Sequence, residues 1–355
     1  MRPSVELSSI IDTAFPADGK AARDAALARQ DKLTKPAGSL GRLETLAVAL
    51  AERQGRSQPK SRPASALIFA ADHPVTALGV SAYPSAVTRA MVQNFATGGA
   101  AASVLASTFG VPLTVVDVGV SGPVAEVDGP HARVVRAPRA GKGGDLLRTD
   151  ALDADARDAA LRAGRDAVDA LDPETQVLVL GEMGIGNSTC ATALSAALLE
   201  TDGAALVGPG TGVHGEALET KKRVVRGALE RVGQVSPGEA LRRLGGRDIA
   251  AVVGAAGRAA ALGMTVLVDG FIVTSAILAL CRLRPAARGA FLFAHRSAEP
   301  GHSRQLEALD AEPLLDLGLR LGEASGALTA LPILDAACAL HSGMATFEGA
   351  GVPEG

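Results

Sequence analysis

Hydrophobic and polar positions change rhythm twice along the chain. Residues 20–30 and 40–54 carry the helical period, and a polar, glycine-containing loop (31–39) separates them. Beyond Pro63 the texture becomes short apolar runs rich in β-branched residues, at 66–70, 113–117, 176–180, 265–269 and 289–295. Each ends in Gly, Asp or His or meets one within two residues, and long helical patterns lie between them. An antiparallel strand with one wet face alternates, whereas a strand covered on both faces is apolar throughout. The runs therefore predict a buried parallel sheet in βαβ units. Helical pattern with glycine punctuation returns from 318 to 352. The expected fold is α/β: a main domain over 61–315 with helices flanking the sheet. A smaller helical domain is expected from both termini, 1–60 with 316–355.

In open parallel sheets ligands sit beyond the carboxyl ends of the strands. Here those ends carry Asp72 and His73, Asp117, Glu182, Asp269, and His295 to Ser297. Polar groups gathered at one edge of an apolar sheet predict an active site.

Composition narrows the class. Hydrophobic residues make up 47% of the 355, but aromatics only 3%, so Ala, Val, Leu and Ile must fill the core. A net charge of −3 gives no nucleic-acid footprint. The basic tract 133–148 lacks interleaved aromatics and reads as a solvated loop. The longest uncharged stretch, 100–116, contains Gly110 and Pro112 and reads as helix, turn and strand, not a membrane span. Arg2, Glu6 and Asp12 interrupt the start, so no secretory leader is read there. Three widely spaced cysteines (Cys190, Cys281, Cys338) read as reduced thiols of a cytoplasmic protein.

Four constellations carry chemistry. GEMGIGNST (181–189) follows a strand and leads into an apolar helix. Gly184 and Gly186 allow backbone N–H groups to approach a ligand. Asn187, Ser188 or Thr189 is placed to cap the helix, whose N-terminus suits a phosphate. The spacing matches neither the Walker loop nor the dinucleotide fingerprint, and a plain strand-to-helix turn is the competing reading. GPGTG (208–212), with Lys221 one helix on, is a second phosphate candidate, set against a solvated basic helix face. Glu323 lies among small and apolar residues, where desolvation would raise its pKa toward that of a general base; a helix-capping glutamate is the alternative. His73, His295 and His302 lack metal-ligand spacing and read as structural or substrate-orienting.

Together these segments resemble the nicotinate-nucleotide:dimethylbenzimidazole phosphoribosyltransferase family of cobalamin lower-ligand synthesis. The ordered set is KLTKPAGSLGRLE, ADHPVTALGVSAYP, GEMGIGNST, GPGTG with Lys221, VDGFIVTSAI, AHRSAEPGH and LDLGLRLGEASGA. It runs through nearly the whole chain. The resemblance implies a Rossmann-like fold and a homodimer. It implies transfer of the phosphoribosyl group of nicotinate mononucleotide to a benzimidazole nitrogen, with inversion and without metal or cofactor. It gives Glu323 as general base and Glu182 as a second acid in the site. Gly184, Gly186, Asn187 and Lys221 fall at phosphate positions, and Asp269, Ser297 and His302 near the ribose or nucleotide. Ser81, Leu321, Asp72 and His73 fall around the base pocket. Pro74 stands where many members have glycine, and Arg89-Ala90 where a glutamine contacts the base; both bear on the aromatic acceptor. Two other classes remain on the sequence: a metal-dependent phosphohydrolase using Asp72, His73, His295 and His302, and a non-catalytic nucleotide binder.

Overall fold

The computed structural model describes residues 19–353. Arg2, Glu6 and Asp12 lie outside the described residues. Seven strands form one sheet: β1 (Ala64–Ala71), β2 (Leu113–Gly119), β3 (Val127–Asp128), β4 (Arg133–Arg136), β5 (Val177–Met183), β6 (Thr265–Val268) and β7 (Phe291–Phe293). Their order is β3-β4-β2-β1-β5-β6-β7, and every neighbouring pair is parallel except β3 with β4. All five runs singled out in the sequence contain a strand of this sheet.

The apolar runs divide by alternation. Leu67, Phe69, Ala71, Leu178, Leu180, Val266 and Val268 enter one core, and Ala66, Ile68, Ala70, Val177, Val179 and Leu267 the other. Successive side chains of a strand point to opposite faces, so an unbroken apolar run needs a layer on each. The first face is covered by helices Ala154–Asp169, Asn187–Leu199, Gly215–Val232, Arg247–Ala261 and Phe271–Leu283. The second is covered by Ala86–Thr97, Ala101–Thr108 and Ser325–Gly343. Small residues replace aromatics through closeness of approach. A Cβ on Gly164 would fall 1.9 Å from the Ala251 carbonyl, and one on Gly254 2.0 Å from that of Leu161. The helices carrying these glycines, Ala154–Asp169 and Arg247–Ala261, thus pack backbone to backbone.

Both ends of the described chain meet. Helices Lys20–Gln30 and Arg42–Gln54 pack together, and the latter packs on Ser325–Gly343. Gln30 Nε2 lies 2.8 Å from His341 Nδ1, and Arg29 donates to the carbonyls of His341 and Ser342.

The basic tract 133–148 corrects the sequence reading. Its first four residues form β4, with Val134 buried, and Leu146 is fully buried. Arg139 pairs with the buried Asp117 at the end of β2. Four strand residues between charges were too short a run to show a period. Among the described residues no helix is long and apolar enough to cross a membrane.

Candidate active site

The carboxyl ends of β1, β5 and β6 converge as the strand pattern predicts. At the end of β5, Glu182 is 5% exposed. The next turn leads into helix Asn187–Leu199 through Gly186, which sits at the cap position with φ +97°. No side chain caps this helix, contrary to the reading of Asn187, Ser188 or Thr189 as the cap. Two of the three are engaged elsewhere. The Asn187 amide donates to Glu182 Oε2 and, at 3.1 Å, to Asp248 Oδ2, while Ser188 Oγ accepts from Lys221 at 2.9 Å. Gly184 has a steric reason: a Cβ there would fall 2.5 Å from the Ala71 carbonyl and 2.9 Å from His73 Nε2.

Glu323 lies on the turn before helix Ser325–Gly343 and is 7% exposed. Glu323 and Ala324 both adopt left-handed backbone, with φ +69° and +66°. Such a pair is costly outside glycine and persists only where other contacts hold it. Asp269, past the end of β6, holds it here: its carboxylate accepts from the backbone N–H of Ala324 at 3.2 Å and of Ala327 at 2.9 Å. Predicted near the ribose, Asp269 is 1% exposed and anchors the Glu323 turn from below. A Cβ on Gly322 would fall 2.2 Å from Glu182 Oε1, so the two glutamate segments are in contact.

This clustering of acids shifts their titration. Burial, then Asp248, raises Glu182 to about 8, against the bond from Asn187; Asp269 and Glu323 push it the same way. Burial and Asp269 raise Glu323 to about 7. Burial raises Asp269 as well. Carboxyls that exchange protons near neutrality are the acids and bases that transfer chemistry uses.

Lys221, on helix Gly215–Val232, is 1% exposed. Its Nζ donates to Ser188 Oγ and to the Gly208 carbonyl, both at 2.9 Å. Burial lowers it to about 8, while Glu299 and Cys190 pull it back up. Thus the two predicted phosphate segments meet on one ammonium group. Glu299 completes this corner, accepting from the Gly210 N–H at 3.0 Å.

The remaining predicted residues are spread around this centre. Ser81 Oγ lies 3.0 Å from Thr211 Oγ1, joining the SAYP and GPGTG loops, and Leu321 is half exposed beside Glu323. Asp72 Oδ2 accepts from the Ser121 N–H at 2.7 Å. His73 is buried, with Nε2 3.0 Å from Asp248 and Nδ1 3.3 Å from Cys190. Ser297 is 6% exposed and its N–H donates to His302 Nδ1 at 2.8 Å. The other His302 nitrogen is 3.1 Å from Thr274 Oγ1, and burial, with His295 and Arg296, lowers the ring to about 3. His302 is therefore a neutral strut under Ser297. Arg89 lines a cavity of about 500 Å³ with Gln93, Val124 and Val134. A groove of about 570 Å³ opens at the opposite, amino edge of the sheet, near Gln176 and Met264. It lies away from all these groups and mixes Arg53 and Arg258 with Asp169 and Glu174.

Sequence reasoning missed Asp248 and gave Glu299 and Cys190 no role in the site. Asp248 sits in the first turn of an ordinary helix and Glu299 in a loop, and nothing in their spacing marks them.

A family model described as Phosphoribosyltransferase matches residues 16–352. A nicotinate-nucleotide–dimethylbenzimidazole phosphoribosyltransferase of Pseudomonas aeruginosa is 49% identical over 347 residues, 97% of each chain. One of Xanthomonas axonopodis pv. citri is 51% identical over 334 residues, 94% of this chain and 95% of its own. The crystal structure of the Thermus thermophilus enzyme of that name superposes with a TM-score of 0.86 at 40% identity, covering 95% of this chain and 99% of the other. Two acids that titrate near neutrality, a buried lysine between two glycine-rich turns and this likeness over nearly the full length agree: the chain belongs to the nicotinate-nucleotide–dimethylbenzimidazole phosphoribosyltransferase family.

Proposed function

We propose that the protein transfers the 5-phosphoribosyl group of nicotinate mononucleotide to 5,6-dimethylbenzimidazole, giving nicotinate and α-ribazole 5′-phosphate. The observation that carries the chemistry is Glu323. It is a buried carboxyl with a pKa of about 7, held on a left-handed turn beside Glu182. The bond between ribose C1′ and the nicotinate nitrogen breaks, and its electron pair leaves with the ring. One benzimidazole nitrogen attacks C1′ from the opposite face, which inverts the anomeric centre. The other nitrogen loses its proton to the Glu323 carboxylate. Positive charge builds on the ribose as the ring departs, and the Glu323 carboxylate, ionised until it takes the proton, stabilises that charge.

Lys221 and the N–H groups of the turn at Gly184 and Gly186 hold the 5′-phosphate in this reading. Lys221 exchanges its bond to the Gly208 carbonyl for a charge-assisted bond to phosphate. Ser297 and Asp269 flank the ribose side, and Ser81, Leu321 and Asp72 flank the acceptor. A homodimer in the cytoplasm is part of the same reading, supported by the family and by three cysteines that stand free. The main unit over 61–315, with a helical unit from the two ends, is retained as a working division.

The decisive experiment mixes protein, nicotinate mononucleotide and 5,6-dimethylbenzimidazole and follows nicotinate release. Release that depends on the acceptor, with the α-anomer as product, is expected. No release, or hydrolysis to ribose 5-phosphate regardless of acceptor, sinks the reading. Size-exclusion chromatography with light scattering tests the dimer.

A further inference from the structure

Behind Glu182 runs a line of buried polar side chains that the transfer scheme leaves unused. Asn187 donates from one amide nitrogen to two acids, Glu182 Oε2 and Asp248 Oδ2. That fixes which end of the amide faces them. On its other oxygen, Asp248 meets His73 Nε2 at 3.0 Å, and His73 Nδ1 meets Cys190 Sγ at 3.3 Å. The order is Cys190, His73, Asp248, Asn187, Glu182. The residues come from the end of β1, the end of β5 and the first turns of helices Asn187–Leu199 and Arg247–Ala261. Asp248 is fully buried and also accepts from the Ile249 N–H at 2.8 Å, within the first turn of its helix. Two glycines leave a slot for the imidazole. A Cβ on Gly246 would fall 2.2 Å from His73 Cε1, and one on Gly184 2.9 Å from Nε2.

We propose that His73 is a positioning residue for the transfer: through Asp248 and Asn187 it orients the Glu182 carboxyl and sets how tightly that group holds its proton. The Asp248 carboxylate stands 3.0 Å from Nε2, but the ring N–H is not aligned to make a hydrogen bond, so the two groups are coupled as charges. Burial lowers the ring's pKa, but Asp248 and Cys190 overcome this and leave it well above 6.5. Glu182 faces Asp248, Asp269, Glu323 and the Asn187 amide, while His73 faces Asp248 and Cys190. A protonated His73 therefore offsets part of the charge that Asp248 presents to Glu182. Removing the ring leaves Asp248 uncompensated, and Glu182 keeps its proton to higher pH. Removing the charge of Asp248 does the opposite.

The inference uses the transfer reaction as its assay and rests on that reading there. Nicotinate release is measured from pH 5 to 10 for wild type, His73→Gln, Asp248→Asn and the double variant, with nicotinate mononucleotide and 5,6-dimethylbenzimidazole. The limb belonging to Glu182 is expected to move up by about one pH unit in His73→Gln and down by about one in Asp248→Asn. In the double variant it returns toward wild type. The expected fall in kcat is about tenfold or more, with KM for the nucleotide within about threefold. Loss of packing alone lowers activity but gives no shifts of opposite sign. Limbs that stay in place, or move in the same direction, overturn the proposal. Carboxyl carbon NMR of the free proteins, with the Glu182 signal assigned by its loss in Glu182→Gln, reads the same shifts without turnover. It decides the proposal even where wild type releases no nicotinate. Where His73→Gln does not fold, the Asp248→Asn titration decides alone: a downward shift supports the proposal and an unmoved signal overturns it.

Discussion

Replacing Glu323 by Gln removes a charge and a proton acceptor while changing little in size. In the folded protein burial and Asp269 lift this carboxyl from 4.5 to about 7. A carboxyl raised on folding binds its proton more tightly folded than unfolded. Its stabilising contribution is fully present below the unfolded value, near pH 4.5, and is lost as pH rises through about 7. The difference corresponds to about 3 kcal/mol at roughly 1.4 kcal/mol per pH unit. Wild type thus carries that burden at pH 8, and the neutral glutamine does not. A buried amide has its own hydrogen bonds to satisfy, at a cost of about 1–2 kcal/mol. A net gain of about 1–2 kcal/mol at pH 8 remains, fading toward pH 5. Activity should move the other way. Turnover falls about 10²–10⁴-fold, while the Kd for nicotinate mononucleotide stays within about twofold. Urea unfolding at pH 5 and 8, nicotinate release at saturating substrates and calorimetric nucleotide titration check the three parts. Turnover within tenfold of wild type, or a variant less stable than wild type at pH 8, refutes the reasoning.

Lys221→Ala should raise the KM for nicotinate mononucleotide about 10–100-fold, from loss of a charge-assisted bond, with a much smaller effect for the unphosphorylated riboside. In wild type, nucleotide affinity should fall as pH rises past about 8, where Lys221 loses its proton. Asp269→Ala leaves the Ala324 and Ala327 N–H groups without their acceptor and should cost about 2–4 kcal/mol in urea unfolding, with a fall in kcat as the Glu323 turn relaxes. At Asp150, burial raises the pKa, but Arg231, Arg243 and Arg242 overturn that and hold it at about 2. A depressed carboxyl stabilises above its unfolded pKa and loses that contribution as pH falls from about 4 toward 2. Asp150→Asn should therefore cost about 1–2 kcal/mol at pH 7 and almost nothing at pH 2, read from urea midpoints.

The five apolar runs were legible because burial on both faces leaves no polar gap, and the same pattern placed Asp72, Glu182 and Asp269 at one edge. What alternation does not mark stayed hidden. β3 and β4 have two and four residues, too few to set a period. The cap of helix Asn187–Leu199 was misread because Asn187 and Ser188 have good capping chemistry but stronger partners across the sheet edge. Asp248 could not be found at all: its partners are His73 and Asn187, and only the fold brings those segments together. Resemblance to a family named more of the residues that gather at this edge than composition or spacing did.

The helix that follows the Glu323 turn has a consequence for how the protein is made. Ala327, Leu328, Leu331 and Leu334 cover the same face of the sheet as Ile68 and Val179. Those strands leave the ribosome some 150 to 260 residues earlier than their cover. Helices Ala86–Thr97 and Ala101–Thr108 cover only part of that face, so for most of synthesis the growing chain carries a partly bare apolar surface, the kind that nascent proteins hand to chaperones. The Glu323 turn is assembled at the same late step, so a chain stopped before it leaves this face partly bare and, under the proposed mechanism, lacks its general base. Completion of helix Ser325–Gly343 therefore closes this face of the sheet and sets the Glu323 turn in a single late event.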